Sequence, residues 1–95
     1  MGMTEVTLSG QLICADQDEA ARVRAALDAH ITATRAEVGC IAFSVAPTPD
    51  PLIWQVDERF TDPSAFEAHQ TRASTSEWAL QTKGIKRAYT IQGMP

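Results

Sequence analysis

The chain has 95 residues, which is enough for one domain with a single core, near the lower size limit for independent folding. Its formal net charge is −4 and its Lys and Arg residues form no cluster, which argues against a nucleic-acid-binding protein. No stretch approaches the ~18 apolar residues of a membrane span, and the N-terminus lacks the pattern of a secretory signal. We therefore expect one domain over residues 1–95, with no membrane or nucleic-acid partner.

The two cysteines, Cys14 and Cys40, match no metal-binding spacing. We interpret them as thiols of a protein in the reducing cytoplasm, and we predict no metal site. The sequence also contains no asparagine, an absence that bears on function below.

Residues 4–14 alternate between polar and apolar side chains, which predicts a first strand with one buried face. Gly10 stands on the apolar side, where it either leaves room for a ligand or marks a bulge. Residues 16–37 form the longest helical pattern and begin with an Asp-x-x-Glu capping box. His30 lies at the margin of the apolar stripe of this helix, where a structural role and a ligand-binding role both stay open.

Residues 40–46 predict a second strand with Ile41 pointing inward, and a proline-rich loop leads to a third strand over residues 54–60. Glu58 falls on the apolar side of the third strand. An acid in that position must be paired, hydrogen-bonded or protonated, because a bare buried charge costs several kcal/mol.

An Asp-Pro pair then starts a second helix, which carries Phe66 and His69 on one face. A second capping-box pattern, Ser74 with Glu77, predicts a third helix that carries Trp78 and runs to residue 84. Residues 85–93 close the chain as a fourth strand.

The resulting order is β-α-β-β-α-α-β. Right-handed crossovers place the strands in the order 4-1-3-2, an antiparallel sheet with the helices on one face. We therefore predict an α+β fold of the ferredoxin-like type.

This topology places Glu58 and Arg87 on either side of Gly10 beneath the helices, with Tyr89 nearby. The two charges are either a buried ion pair or the polar end of a small-molecule cavity, and His69 faces the same space. The predicted apolar walls of that cavity are Trp54, Phe66 and Trp78.

Several segments together resemble the antibiotic biosynthesis monooxygenase (ABM) family, and within it the quinol monooxygenases. They read VTLSGQL, HITATRAEVGCIAFSV, VDERFTDPSAFEAHQ and RAYTI. The most specific parts are AEVGC before the second strand and the run from Glu58 to His69, in which E-x-F is followed by AFEAH.

The resemblance implies a dimeric α+β barrel in which two sheets pack face to face. It also implies oxidation of a quinol or polycyclic phenol by dioxygen without metal, flavin or haem. On this basis His69 is the expected general base and Glu58 its catalytic partner. Arg87 and Tyr89 would hold the phenolate, and Trp54, Phe66 and Trp78 would pack on its ring, with Gly10 and His30 as further contacts.

The missing asparagine limits this resemblance. The haem-degrading branch of the same fold uses a pocket asparagine, so haem cleavage is not expected here. Two other classes stay open from the sequence: an isomerase or lyase on the same barrel, and a non-catalytic binding or stress-response dimer.

Overall fold

The computed structural model describes residues 4–95 and shows the predicted order of elements. The strands are β1 (Val6–Ile13), β2 (Cys40–Pro47), β3 (Ile53–Phe60) and β4 (Lys86–Gln92). The helices are α1 (Gln17–Arg35), α2 (Pro63–Ser74) and α3 (Glu77–Gln81). None of the helices in the described range has the length and apolar character needed to cross a membrane.

The four strands form one antiparallel sheet in the order β2-β3-β1-β4, so the predicted ferredoxin-like topology is confirmed. Strand β1 lies in the middle, between β3 and β4. Leu8 of β1 pairs with Glu58, whereas Leu12 pairs with Arg87. The two charged residues are therefore separated by four positions along β1, which is about 13 Å of strand.

Short side-chain caps start the helices. Asp16 accepts a hydrogen bond from the Glu19 amide at 2.9 Å, and Asp62 accepts one from the Ala65 amide at 2.8 Å, ahead of α2. Each bond satisfies an amide that has no partner within its helix. Of the capping box predicted at the first helix, Asp16 caps the helix as expected, whereas the Glu19 carboxylate accepts from the amide of Ala15, one residue before the cap.

The predicted start of the third helix at Ser74 is wrong. Ser74 ends α2, and its hydroxyl donates to the Thr71 carbonyl. The cap of α3 is Ser76, whose Oγ accepts from the Ala79 amide at 3.3 Å, and α3 has only five residues. Two serines in this turn offer capping oxygens, and the later one is used.

The core lies between the sheet and the helices. Inward-pointing side chains of the strands, among them Val6, Leu12 and Phe60, pack beneath Ala20 and Val23 of α1. Ile41 was predicted to join this set but is 43% exposed. A β-bulge between Cys40 and Ala42 shifts the register there, which turns Ile41 away from the core.

The other face of the sheet carries small and polar side chains that no helix covers. The exposed or half-exposed residues of this open face include Thr7, Ser9, Gln11, Ser44, Gln55, Ala88 and Thr90. Ser9 donates to Asp57 at 2.8 Å across β1 and β3.

Gly10 allows β1 and β4 to approach closely. A Cβ atom at this position would overlap the carbonyl oxygen of Ala88 and lie 2.9 Å from the Cα of Tyr89. The backbone of β4 therefore fills the space that a side chain would need, and Gly10 is required for packing of the sheet itself.

Replacing Gly10 by alanine should lower the free energy of unfolding by about 1–3 kcal/mol, the usual cost of forcing extra atoms into a packed site. Urea denaturation measures this change. The matched control is Gln11→Ala, on the exposed side of the same strand. A Gly10→Ala change within about 0.5 kcal/mol of wild type would contradict the close-approach argument.

Candidate active site

A cavity of about 360 Å³ opens between the sheet and the helices. Its apolar wall includes four side chains of the sheet: Leu8, Val45, Val56 and Ile91. The polar and aromatic groups that line it are His30, Phe43, Glu58, His69, Trp78, Arg87 and Tyr89. An apolar pocket with a few converging polar groups is typical of a small-molecule site.

His69 projects from α2 and is only 3% exposed. Its Nδ1 atom lies 2.7 Å from Oε1 of Glu37, a residue just beyond the end of α1. Burial alone would raise the pKa of Glu37, but hydrogen bonds from Arg72 and His69 outweigh it and lower the pKa below its ordinary value. Because an ionised carboxylate can only accept, Nδ1 carries the proton, and Nε2 presents its lone pair on the opposite side of the ring.

Arg72 fixes the position of Glu37. Its Nε atom donates to Oε2 of Glu37 at 2.8 Å, and its Nη2 donates to Oγ1 of Thr34 at 3.0 Å. Thr34 is fully buried in the last turns of α1. The side chains of α1 and α2 are thereby joined by a continuous hydrogen-bonded chain that ends at the imidazole of His69.

Glu58 lies on the other side of that imidazole. Its Oε1 is 3.9 Å from Nε2 of His69, which is too far for a direct hydrogen bond, and the two groups attract each other only when the imidazole is protonated. The side chain is 8% exposed, and burial together with the nearby negative charge of Glu37 raises its pKa to about 7. The alternation of β3 places this acid inside, where a pKa of about 7 leaves it ionised in only about half of the molecules at neutral pH.

His30 lines the cavity next to His69, with the two ring centroids 5.9 Å apart. Its ring stacks on Trp78 with a centroid distance of 4.6 Å and an angle of 2°, and it meets the edge of Phe43 at 5.3 Å. Burial, with smaller contributions from the neighbouring His69 and Arg72, lowers its pKa to about 4. His30 is therefore neutral at physiological pH.

Arg87 and Tyr89 line the cavity from β4. Arg87 donates to the carbonyl oxygens of Thr82 and Ile85 and, at 2.8 Å, to Oγ1 of Thr82. It forms no ion pair with Glu58, because the two residues lie at different levels along β1. The sequence left open whether Glu58 and Arg87 form a buried ion pair or the polar end of a cavity, and the structure shows a cavity. Burial raises the pKa of Tyr89, which keeps its hydroxyl protonated as a donor.

Three residues expected at the site do not line the cavity. Trp54 pairs with Leu12 toward the end of the sheet, and its indole lies beside the Cys14 thiol. Phe66 packs on Phe60 at 5.7 Å within the core. Gly10 is covered by the backbone of β4. Their expected roles in substrate contact are corrected accordingly. For Trp54 and Phe66, periodicity gives the face of a strand or helix but not the position along it, and for Gly10 it does not show how closely the next strand approaches.

Sequence reasoning missed Glu37, Arg72 and Phe43 as site residues. Glu37 belongs to the AEVGC segment that carried the family resemblance, but no periodicity assigns a residue between a helix and a strand to an interior site. Arg72 lies one turn after His69 on α2, and this i, i+3 spacing was the available signal.

The family model of the antibiotic biosynthesis monooxygenases matches residues 11–79. The chain belongs to the ABM family. No curated protein matches it significantly.

Solved structures share this ABM fold over nearly the whole chain. Protein PA3566 of Pseudomonas aeruginosa is 23% identical, with 97% of this chain and 93% of that chain covered and a TM-score of 0.73. Rv0793 of Mycobacterium tuberculosis is 22% identical, with 97% and 96% covered and a TM-score of 0.74. SnoaB of Streptomyces nogalater, described as a cofactor-independent oxygenase, is 12% identical, with 97% and 94% covered and a TM-score of 0.77. At these identities the likeness shows a common fold.

Replacing Glu58 by glutamine should change how stability depends on pH. A carboxyl whose pKa rises from 4.5 to about 7 on folding binds more protons in the folded state, so unfolding becomes easier as pH rises through that window. The variant loses this effect. Its free energy of unfolding, relative to wild type, should therefore increase by about 3 kcal/mol between pH 4.5 and pH 8.

Urea denaturation at a series of pH values measures this difference. His30 acts in the opposite direction, since its lowered pKa makes stability rise between pH 4 and 6.5, and this part should persist in the variant. The matched control is Glu67→Gln, on the exposed side of α2. Parallel pH curves for wild type and Glu58→Gln would show that Glu58 titrates normally.

Proposed function

We propose that this ABM protein is a cofactor-independent monooxygenase that oxidises a quinol or polycyclic phenol with molecular oxygen. The observation that carries the proposal is the pair His69 and Glu58 at one end of an apolar cavity, with the imidazole oriented by Glu37. Such an arrangement can remove a proton from a phenol and hold the anion away from water.

The overall reaction needs no external reductant. A hydroxyarene with a free ring C–H ortho or para to the hydroxyl combines with O₂ to give a quinone and water. One oxygen atom becomes the new carbonyl, and the other leaves as water with the ring proton and the phenolic proton. All four electrons come from the substrate.

Deprotonation is the step that the protein must promote. Triplet dioxygen reacts slowly with closed-shell molecules, whereas an electron-rich phenolate can transfer one electron to it and then combine with the superoxide formed. The resulting peroxide breaks its O–O bond to give the quinone.

His69 is assigned as the base that accepts the phenolic proton at Nε2. The imidazolium formed would lie between two carboxylates, Glu37 at Nδ1 and Glu58 on the cavity side. Two negative charges next to one cation favour proton transfer, and general base help is typically worth about 10²- to 10⁴-fold in rate. The same proton can later leave with the departing oxygen atom as water.

The remaining cavity residues are suited to binding the ring and its oxygen. Trp78 and Phe43 offer aromatic surfaces against which a planar substrate can pack. Arg87 keeps its position through Thr82, and Tyr89 retains its proton, so both can stabilise a phenolate or peroxide oxygen.

We further propose that two copies assemble through the open face of the sheet. That face is uncovered by helices and carries small and polar side chains such as Ser9, Ser44 and Thr90, which permit close approach of a second sheet. A chain of 95 residues buries a limited core, and a second subunit would add to it.

Replacing His69 by alanine should lower kcat/KM by about 10²- to 10⁴-fold, because the base is removed. Oxygen uptake with hydroquinones and naphthoquinols in metal-free buffer measures the rate, and ¹⁸O₂ labelling should place one labelled atom in the product. Circular dichroism confirms that the variant is folded. Unchanged turnover would remove His69 from the mechanism.

The same assay separates the other two classes. A binding or stress-response dimer would not increase oxygen uptake above the rate that each compound shows without protein. An isomerase or lyase would convert a substrate with no incorporation of ¹⁸O.

The pH profile of kcat/KM tests the role of Glu58. Because its ionised form stabilises the imidazolium, the rate should rise with pH through a pKa of about 7. In Glu58→Gln the part of that limb that Glu58 sets should be lost, and the plateau rate should fall about 10-fold or more. An unaltered rising limb in the variant would assign the titration to another group.

A further inference from the structure

Arg87 lines the cavity and carries a positive charge that no carboxylate of residues 4–95 neutralises. Its partners are the carbonyl oxygens of Thr82 and Ile85 and the hydroxyl of Thr82, all of them neutral. The charge of Arg87 is among the causes that lower the pKa of His30, but it does not offset the rise in the pKa of Glu58. The protein therefore leaves this cationic part of the cavity without a counter-ion.

Two N–H groups of Arg87 have no acceptor in the described part of the chain. A guanidinium has five N–H groups. Both of those on Nη1 donate, to Thr82 and Ile85, and one of those on Nη2 donates to Oγ1 of Thr82. The N–H of Nε and the second N–H of Nη2 remain. These two form the edge of a guanidinium that binds a carboxylate through two parallel hydrogen bonds.

Other arginines show how this chain otherwise uses that edge. Four of them donate from both Nε and Nη2 to oxygen atoms of the protein: Arg22, Arg35, Arg59 and Arg72. In Arg22 and Arg59 the acceptor is a single carboxylate oxygen. In Arg87 the bonds to Thr82 and Ile85 fix the guanidinium through its other N–H groups, so the same edge stays free.

The position of this free edge suits an ionised group of a ligand. Arg87 is exposed although it lines the cavity, so its charge lies where the cavity meets the solvent. An anion bound there keeps part of its hydration, which reduces the cost of taking a charge out of water. The hydroxyl of Tyr89 lies beside the guanidinium, is not fully buried and donates to no acceptor in residues 4–95, so it offers a further donor.

The charges elsewhere in the site favour a ligand with a single negative charge. Glu37 and Glu58 lie at the His69 end of the cavity, and the chain as a whole has a net charge of −4. These charges repel a dianion such as a phosphate more strongly than a monoanion. A carboxylate carries one charge, and its two oxygens match the two parallel N–H groups of one arginine.

We propose that Arg87 and Tyr89 bind a carboxylate of the substrate, so that the preferred substrate is an aromatic hydroxy acid with its hydroxyl at the His69 end. This inference rests on the proposed oxidation, which places the reacting hydroxyl at His69. Four positions along β1 separate Glu58 from Arg87, so the hydroxyl and the carboxylate must stand at opposite ends of the aromatic ring system. Arg87 is then a specificity-determining residue, whose partner is charged before the reaction starts.

The test compares two ligands of the same shape that differ in charge. Binding of 6-hydroxy-2-naphthoic acid and of 6-hydroxy-2-naphthamide is measured by titration calorimetry at neutral pH under nitrogen, where no oxidation occurs. The acid is ionised and the amide is neutral, and both carry a hydroxyl at the other end of the ring system. Wild type should bind the acid about 10-fold more tightly or better, in line with hydrogen bonds to a charged group. Equal affinities, or tighter binding of the amide, would overturn the proposal.

The variant Arg87→Met removes the charge and nearly keeps the length of the side chain. It should lose the preference for the acid and retain its affinity for the amide within about 3-fold, since the neutral ligand gains little from a cation. The matched control Lys86→Met removes one positive charge from the preceding residue of β4, which is exposed and points to the other face of the sheet, and should keep the wild-type preference. A preference that persists in folded Arg87→Met would overturn the proposal.

A second variant, Arg87→Lys, keeps the positive charge but lacks the two parallel N–H groups. Its preference for the acid should fall to about 3-fold or less, because a single ammonium cannot bind both carboxylate oxygens in the same way. If Arg87→Met does not fold, this variant decides. A full wild-type preference in Arg87→Lys would show that the free edge of the guanidinium is not used and would overturn the proposal.

Binding and turnover can fail separately. If the preference for the acid depends on Arg87 but the protein consumes no oxygen with any hydroxyarene, the carboxylate site stands and the proposed oxidation does not. If oxygen is consumed and folded Arg87→Met binds the acid and the amide with the wild-type preference, the oxidation stands and the carboxylate site is overturned.

Discussion

The hydrogen bond between Glu37 and Nδ1 of His69 is the interaction on which the site depends. It fixes which nitrogen carries the proton, and so turns Nε2 toward the cavity and toward Glu58. It also places a negative charge close enough to Glu58 to contribute to the raised pKa of that buried acid. Without it, the ring would still be packed against Phe43 and Phe60, but nothing on its outer side would select the nitrogen that carries the proton.

This interaction joins parts of the chain that are far apart in sequence. Glu37 follows α1 and His69 belongs to α2, and the hydrogen bonds of Arg72 to Glu37 and Thr34 bring the two helices into one assembly. Packing of the helices on the sheet and orientation of the His69 imidazole therefore depend on the same contacts. The fold determines the position of each helix, and the hydrogen-bonded chain from Thr34 to His69 orients the imidazole ring.

The sequence predicted the fold well because the signals that determine it are local and periodic. Alternation located all four strands, caps at Asp16 and Asp62 located two helices, and the handedness of crossovers gave the order of the strands. Errors arose where local signals compete or vanish, as at the two serines before α3 and at the bulge beside Ile41.

The site was only partly predictable for a different reason. Burial of Glu58 and His69 follows from periodicity, but the depth of a side chain along the sheet does not, so Trp54 and Phe66 were placed in a cavity that they do not reach. Glu37 lies in an irregular segment, where no repeating pattern indicates direction. The role of such a residue can be recognised only once the packing of α1 and α2 is known.

The buried imidazole of His69 lies between the cavity and a partly exposed pair of charged side chains. Its Nε2 faces the cavity, while its Nδ1 meets Glu37, whose side chain is 18% exposed beside the 35% exposed Arg72. The charged pair therefore holds the ring from its outer side, through a single hydrogen bond. A substitution at the surface of this protein can thus alter the interior by changing the angle of one buried ring, with no change in the lining of the cavity itself.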